Sequence, residues 1–195
     1  MRTTRHFALL LAVLAFLPLT GCTAPTRDDG PKPPTLAAWE DLTPLDDGRV
    51  FLGAQPSDEA LDAFVSSGGG LVINLRTDEE MAFLPYYDRS IASRGLRYTR
   101  IPTSGSGLGT ATDAALADAL ESAGDRPVLL HCASGGRATY AYAMRRMATE
   151  GLTPDEAAAW VVEQRGEISD RGRALLQAFA DERAGVPSAP EGGQD

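Results

Sequence analysis

The segment His131-Cys132-Ala133-Ser134-Gly135-Gly136-Arg137 places a thiol, two glycines and a guanidinium within seven residues. Val128-Leu129-Leu130 leads into it as a buried-strand pattern, and Ala138 to Met147 leaves it as a helix-forming run. A tight Gly-containing loop at such a junction turns successive backbone N–H groups toward one point. The helix start behind it adds unpaired donors and the positive end of the helix dipole. Such a place holds an anion. The same field stabilises a thiolate, which makes Cys132 a candidate nucleophile. Arg137 supplies a planar fork able to pair with two oxyanion oxygens at once. The amides of Ala133, Ser134, Gly135 and Gly136 are the candidate anion donors, and His131 is placed to orient the loop or to hydrogen-bond around the sulfur. A cysteine taken alone at a strand end is more often a buried structural thiol, and an arginine taken alone a surface charge. The ordered combination of strand, His-Cys, Gly-Gly, Arg and helix is what points to chemistry.

Those residues need a scaffold, and the rest of the chain alternates accordingly. Arg49 to Leu52 reads as a short strand, and Ser57-Asp58-Glu59 as the cap of a helix running to Ser67 and ended by Gly68 to Gly70. Leu71 to Leu75 is a buried strand, Glu79 to Arg94 is helical with a break at Pro85, and Arg97 to Ile101 is the next strand. After the loop Thr103 to Thr110, Thr112-Asp113 is expected to cap a helix through Ala123, and Pro127 to His131 feeds the Cys132 loop. Helices over Ala138 to Glu150, from Thr153-Pro154 and from Asp170 follow as packing elements. Strands separated by helices predict an α/β fold with a mainly parallel central sheet flanked by helices. Ligands of such sheets sit at the carboxyl ends of the strands, the rim expected to carry Cys132, Asn74 and Arg76. Arg76 either contacts a second anionic group and clamps the loop, or pairs with Asp78, Glu79 or Glu80. Thr77-Asp78-Glu79-Glu80 reads as an acidic first helical turn, and Tyr86, Tyr87 and Tyr98 as half-buried packing.

With Gln55-Pro56-Ser57 and Val72-Ile73-Asn74-Leu75-Arg76 upstream, this strand-loop-helix resembles a bacterial dual-specificity/tyrosine phosphatase-like family, the beta-lactamase hydrolase-like, phosphatase-like domain, over about residues 48 to 165. The resemblance implies a cysteine-dependent phosphatase with Cys132 as nucleophile and Arg137 as phosphate-binding residue, using no cofactor and no metal. The general tyrosine-phosphatase signature has five residues between Cys and Arg, whereas this chain has four. A loop of that length also resembles rhodanese-like sulfurtransferases, which would carry a persulfide on Cys132. The hydroxyl residue that usually follows the Arg is replaced by Ala138, with Thr139 next. Tyrosine phosphatases also place an Asp on a loop after a strand as general acid, but Thr103 to Thr110 has no carboxylate. Asp113 is the nearest candidate, although its place beside Thr112 fits a helix start better. Without an acid the protein would favour esters with good leaving groups, or only bind anions. The expected partner is a phosphorylated protein or a small phosphoester.

At the start, Arg2 and Arg5 precede the apolar run Phe7 to Leu19, which is too short to span a membrane comfortably. Leu19-Thr20-Gly21-Cys22 resembles the lipobox of bacterial lipoproteins, which implies a signal peptide over 1–21 and lipidation of Cys22. The expected location is the cell envelope, as a membrane-anchored lipoprotein facing the periplasm or cell surface. With Cys22 acylated, Cys132 is the one thiol left, so no internal disulfide forms in an oxidising compartment. Residues 22–38, rich in Pro and Thr, form a tether of roughly 45–50 Å when extended. A domain over 39–183 and a disordered tail over 184–195 complete the chain. Loss of Arg2 and Arg5 with the leader takes the net charge from −9 to −11, which disfavours nucleic acid as a partner. Arg145-Arg146 or Arg94, Arg97 and Arg100 could offset this only as a local patch. Cells labelled with an alkyne-bearing palmitate should tag the wild-type chain; a Cys22→Ala chain that remains tagged would refute the lipid anchor.

Overall fold

The computed structural model of the chain describes residues 42–185. The expected leader, Cys22, the tether and all but the first two residues of the tail lie outside that range.

Three apolar tetrapeptides, Val50–Gly53 (β2), Leu71–Asn74 (β3) and Val128–His131 (β5), are buried along their whole length. Continuous burial of this kind belongs to strands covered on both faces by helices. With Arg97–Arg100 (β4) and Leu42–Leu45 (β1) they form a five-stranded sheet in the order β1-β2-β5-β3-β4. All neighbours are parallel except β1, which pairs antiparallel with β2. The fold is thus the expected α/β arrangement, with one addition. Strand β1 carries Pro44, which cannot donate to a ladder; it is tolerated because β1 lies at the sheet edge. The parallel register sets Gly53 of β2 and Asn74 of β3 opposite His131, so three strands end level on the rim that bears the Cys132 loop.

Alternating side chains divide the interior into two layers. Val72 and Leu129 pack with Leu61 and Phe64 of α1 (Asp58–Ser66) and Ile91 of α3 (Tyr87–Ser93). Ile73 and Leu130 pack on the other face with α4 (Thr110–Ala123), α5 (Gly136–Glu150), α6 (Pro154–Arg165) and α7 (Asp170–Arg183). The expected break at Pro85 separates α3 from the short α2 (Asp78–Met81). Ser57 caps α1 by accepting from the Ala60 N–H at 3.1 Å.

Helix α4 departs from expectation. It starts at Thr110, so Thr112 and Asp113 lie inside its first turn and do not cap it. The cap comes from 72 residues away: Glu182 of α7 accepts from the Thr110 N–H at 3.2 Å and from its hydroxyl. A local sequence pattern carries no trace of such a cap. Helix α7 also lies close against α5, because a Cβ at Gly172 would overlap the Tyr140 hydroxyl. In an open helix Gly→Ala stabilises by about 1 kcal/mol. Gly172→Ala is expected to do the reverse and lower stability by about 1–3 kcal/mol through overpacking, as read by urea denaturation.

Candidate active site

The loop after β5 is held from one side by the continuation of β2. Cys132 donates its N–H to Gly53 O (3.4 Å), Gln55 donates to Ala133 O (3.2 Å), and Ser134 bridges Ala54. Gly135 then takes φ +84°, a conformation that disfavours a Cβ, and α5 begins at Gly136. The turn therefore reverses the chain within four residues and starts a 15-residue helix behind the sulfur. The Cys132 thiol is free and the residue is 1% exposed. Thr139, the nearest hydroxyl after the arginine, is turned back onto the Gly135 carbonyl at 3.1 Å.

Arg137 is not a surface arginine. Its side chain is 15% exposed, and its guanidinium meets Glu80 end-on, Nη1 to Oε2 at 2.8 Å and Nη2 to Oε1 at 2.6 Å. Nη1 also donates to the carbonyls of Thr103 (2.8 Å) and Leu75 (3.2 Å). A guanidinium has five N–H donors. These contacts use both on Nη1 and the inner one on Nη2, which leaves Nε–H and the outer Nη2–H as a parallel pair along one edge. The hydrogen bond to Glu80, helped by the nearby Cys132 sulfur, raises the Arg137 pKa. The same hydrogen bond holds Glu80 down at about 2, against the desolvation that would raise it.

Glu80 was legible only as part of an acidic helical turn, and the structure gives it a larger part. It closes a capping box with Thr77, accepting from the Thr77 N–H at 2.8 Å, and that second bond fixes its carboxylate in front of Arg137. The T-x-x-E spacing signals the box; nothing local signals the arginine 57 positions on.

Arg76 does not make the ion pair that was one of its two expected roles. Asp78 pairs with Arg100 at 2.6 Å and Glu80 with Arg137. Arg76 instead donates to Gln55 Oε1 (3.1 Å) and to the Glu80 carbonyl (3.3 Å), leaving an unmatched cation near the rim. Asn74 orients this corner by accepting from the Arg76 N–H (2.9 Å) and donating to Tyr98 Oη (2.8 Å). The candidate acid Asp113 is not brought to the site. It pairs with Arg145 at 3.0 Å, eight residues further along α5 than Arg137, or roughly 12 Å of helix. Burial pushes its carboxyl up while Arg145 opposes the shift. The arginines that could have formed a basic patch are also engaged: Arg94 with Asp58 and Asp62, Arg146 with Glu150, and Arg97 with the Ser122 carbonyl. Of the three tyrosines, Tyr87 is buried, Tyr98 half-buried, and Tyr86 exposed, against expectation, under Arg89.

No family model matches the chain. The beta-lactamase hydrolase-like protein of Xylella fastidiosa (strain Temecula1) is 31% identical over 114 residues, which is 57% of this chain and 26% of that protein. The chain thus spans about a quarter of the length of the curated relatives it matches. Among solved structures, a candidate phosphatase (DUF442) from Shewanella putrefaciens superposes with TM-score 0.61 at 18% identity, covering 75% of this chain and 95% of that one. PTPMT1 in complex with PI(5)P gives 0.61 at 21%, covering 75% and 97%. The active form of Tk-PTP gives 0.57 at 25%, covering 74% and 99%. The fold is phosphatase-like.

Within this phosphatase-like fold His131 is a positioning residue. It is fully buried, its Nδ1 lies 3.3 Å from the Cys132 carbonyl, and its Nε2 lies 2.9 Å from Tyr87 Oη. A carbonyl only accepts, so the proton sits on Nδ1 and the Tyr87 hydroxyl donates to Nε2. Tyr87 also stands edge-on to the imidazole, with ring centroids 5.5 Å apart. This neutral, doubly bonded ring holds the peptide that follows Cys132. Burial lowers the His131 pKa from 6.5 to about 3. Between those values the unfolded chain binds a proton that the folded chain refuses. The contribution of His131 to stability is therefore complete above about pH 6.5 and is lost as the pH falls toward 3, by at most about 1.4 kcal/mol per pH unit. NMR should show the His131 resonances silent down to about pH 4.5. An inflection of the His131 resonance near pH 6.5 would overturn this assignment.

Proposed function

We propose that the protein is a cysteine-dependent phosphatase acting on phosphoesters, of the tyrosine/dual-specificity type. The observation that carries this reading is the free edge of Arg137. Glu80 occupies the end of the fork, and the Nε and Nη2 donors that remain match two oxygens of a phosphoryl group. The Cys132 thiolate attacks phosphorus in line, forming the S–P bond as the P–O bond to the leaving group breaks. The amides of residues 133–137 and the Arg137 edge hold the equatorial oxygens. Water then attacks phosphorus in the phosphocysteine, giving inorganic phosphate and returning the thiolate. The phosphoester bound by PTPMT1 is consistent with such a substrate. We also propose that lipidated Cys22 tethers the domain in the cell envelope.

Proton donation to the leaving group is the weak step. Glu80 is engaged with Arg137, Asp78 with Arg100 and Glu182 with Thr110, and the loop Thr103 to Thr110 has no carboxylate. A second reading follows from this and from the four-residue loop: sulfur transfer. There the thiolate takes the outer sulfur of thiosulfate, forming an S–S bond and releasing sulfite, and cyanide then accepts that sulfur as thiocyanate.

Full-length protein in detergent, assayed with 4-nitrophenyl phosphate and with thiosulfate plus cyanide, separates the two. The expected result is phosphate release that disappears in Cys132→Ser, with alkyl phosphates slower by about 10²–10⁴ because no acid assists. Cysteine-dependent thiocyanate without phosphate would establish sulfur transfer instead, and turnover of neither would leave an anion-binding protein.

A further inference from the structure

A cavity of about 400 Å³ opens beside the Cys132 loop, at Gly136 and Arg137. Its far side is the first turn of α7, which the sequence marked only as packing. Two guanidinium groups line it, Arg137 and Arg171, and no lining residue is acidic. Ser106 and Ser169 add hydroxyls, while Leu108, Leu175 and Tyr140 form apolar walls.

The two arginines differ in their charge balance. Glu80 neutralises Arg137, whereas Arg171 makes no ion pair, hydrogen bond or ring contact with any described residue, its neighbours Glu167 and Asp170 included. Six other arginines of the domain are matched to carboxylates: Arg49, Arg94, Arg100, Arg137, Arg145 and Arg146. In a chain of net charge −9, Arg171 stands in the cavity wall with its charge unspent and no carboxylate among the lining residues. The start of α7 adds a weak positive end on the same side. A cavity of this volume is at the small end of ligand sites, fit for one ring or a short chain.

The geometry points to Arg171 as the cation of a second-anion subsite. The phosphoryl group sits in the Cys132 loop, and the rest of a small phosphoester crosses the apolar walls and ends in a second anionic group at Arg171. The preferred substrate class is then a small phosphoester that carries a second anionic group beyond its phosphoryl group. Turnover of such a substrate rests on the phosphatase reading; its binding does not.

Two esters of equal size and closely matched leaving groups test this, 4-(carboxymethyl)phenyl phosphate and its neutral isostere 4-(carbamoylmethyl)phenyl phosphate. The full-length protein should prefer the carboxylate ester in kcat/KM by about five- to tenfold, the worth of one partly exposed charged contact. Arg171→Gln should bring the ratio to within about twofold, Arg171→Lys should keep part of it, and Arg173→Gln, on the same helix but outside the cavity, should keep all of it. The same pair is titrated calorimetrically into the Cys132→Ser chain. Absence of turnover with the binding preference intact would sink the phosphatase reading and sustain the subsite. Equal binding of the two esters, a preference that survives Arg171→Gln, or tighter binding of a phosphotyrosine peptide than of either ester would overturn the subsite.

Discussion

The end-on ion pair between Arg137 and Glu80 is the constraint on which the rim of the sheet depends. A guanidinium with 15% of its side chain exposed has left most of its hydration behind, and only a well-placed counter-charge with full hydrogen bonding offsets that loss. Glu80 supplies the charge because the capping box of α2 already holds its carboxylate, so little side-chain entropy remains to be lost on pairing. The carbonyls of Leu75 and Thr103 complete the set, and these belong to the segments that follow β3 and β4. One side chain on the first turn of α5 thereby ties together three loops that parallel strands deliver to the same edge. With Glu80 30% exposed, the pair is worth less than a fully buried one. Its main effect is geometric, since it decides which two donors of Arg137 remain free.

Charge at the rim does not follow charge over the chain. The sequence is acidic, at −9, yet two guanidinium groups, Arg137 and Arg76, stand about the single carboxylate of Glu80 at this corner, Arg137 in a direct ion pair and Arg76 on the Glu80 carbonyl. His131 adds nothing to that charge, because burial, helped by the nearby Arg76, keeps its ring neutral against the hydrogen bond to the Cys132 carbonyl. A small positive site within a negative surface focuses the field, admitting small anions while repelling extended polyanions.

The strand-loop-helix around Cys132 was legible in the sequence because its determinants are local: an apolar strand, glycine at the one position that takes a left-handed turn, and a helix-forming run. The parallel sheet followed from the alternation of strands and helices for the same reason. What the sequence concealed depends on partners distant along the chain. Strand β1 was not read at all, and its Pro44 is harmless only because the strand lies at the sheet edge. The start of α4 depends on Glu182, and the importance of Glu80 depends on Arg137. Asp113 was misplaced with α4, since a shift of two residues turned a supposed cap into a first-turn residue facing Arg145. The last helices read as packing elements, because nothing in Ser169-Asp170-Arg171 shows that their turn meets the first turn of α5.

The balance of the site favours holding charge over moving protons. Backbone donors, a helix start and the free edge of Arg137 all stabilise negative charge in place, and none of them needs to change protonation. The segment best placed to supply a proton, Thr103 to Thr110, consists of small, hydroxyl and glycine residues around Leu108. A reaction that suits this balance expels a group already stable as an anion. A phenolate is such a group, and so is the sulfite released when a thiolate takes the outer sulfur of thiosulfate. Phosphoryl and sulfur transfer therefore make nearly the same demand on this loop, and what divides them is size and charge at the point of attack. A tetrahedral phosphoryl group must pass through a trigonal arrangement with three oxygens held at once, a demand on several donors that the two free donors of Arg137 meet in part. A terminal sulfur leaves most of them idle. The ordered fork of Arg137, kept in register by Glu80, is better accounted for by the more demanding of the two.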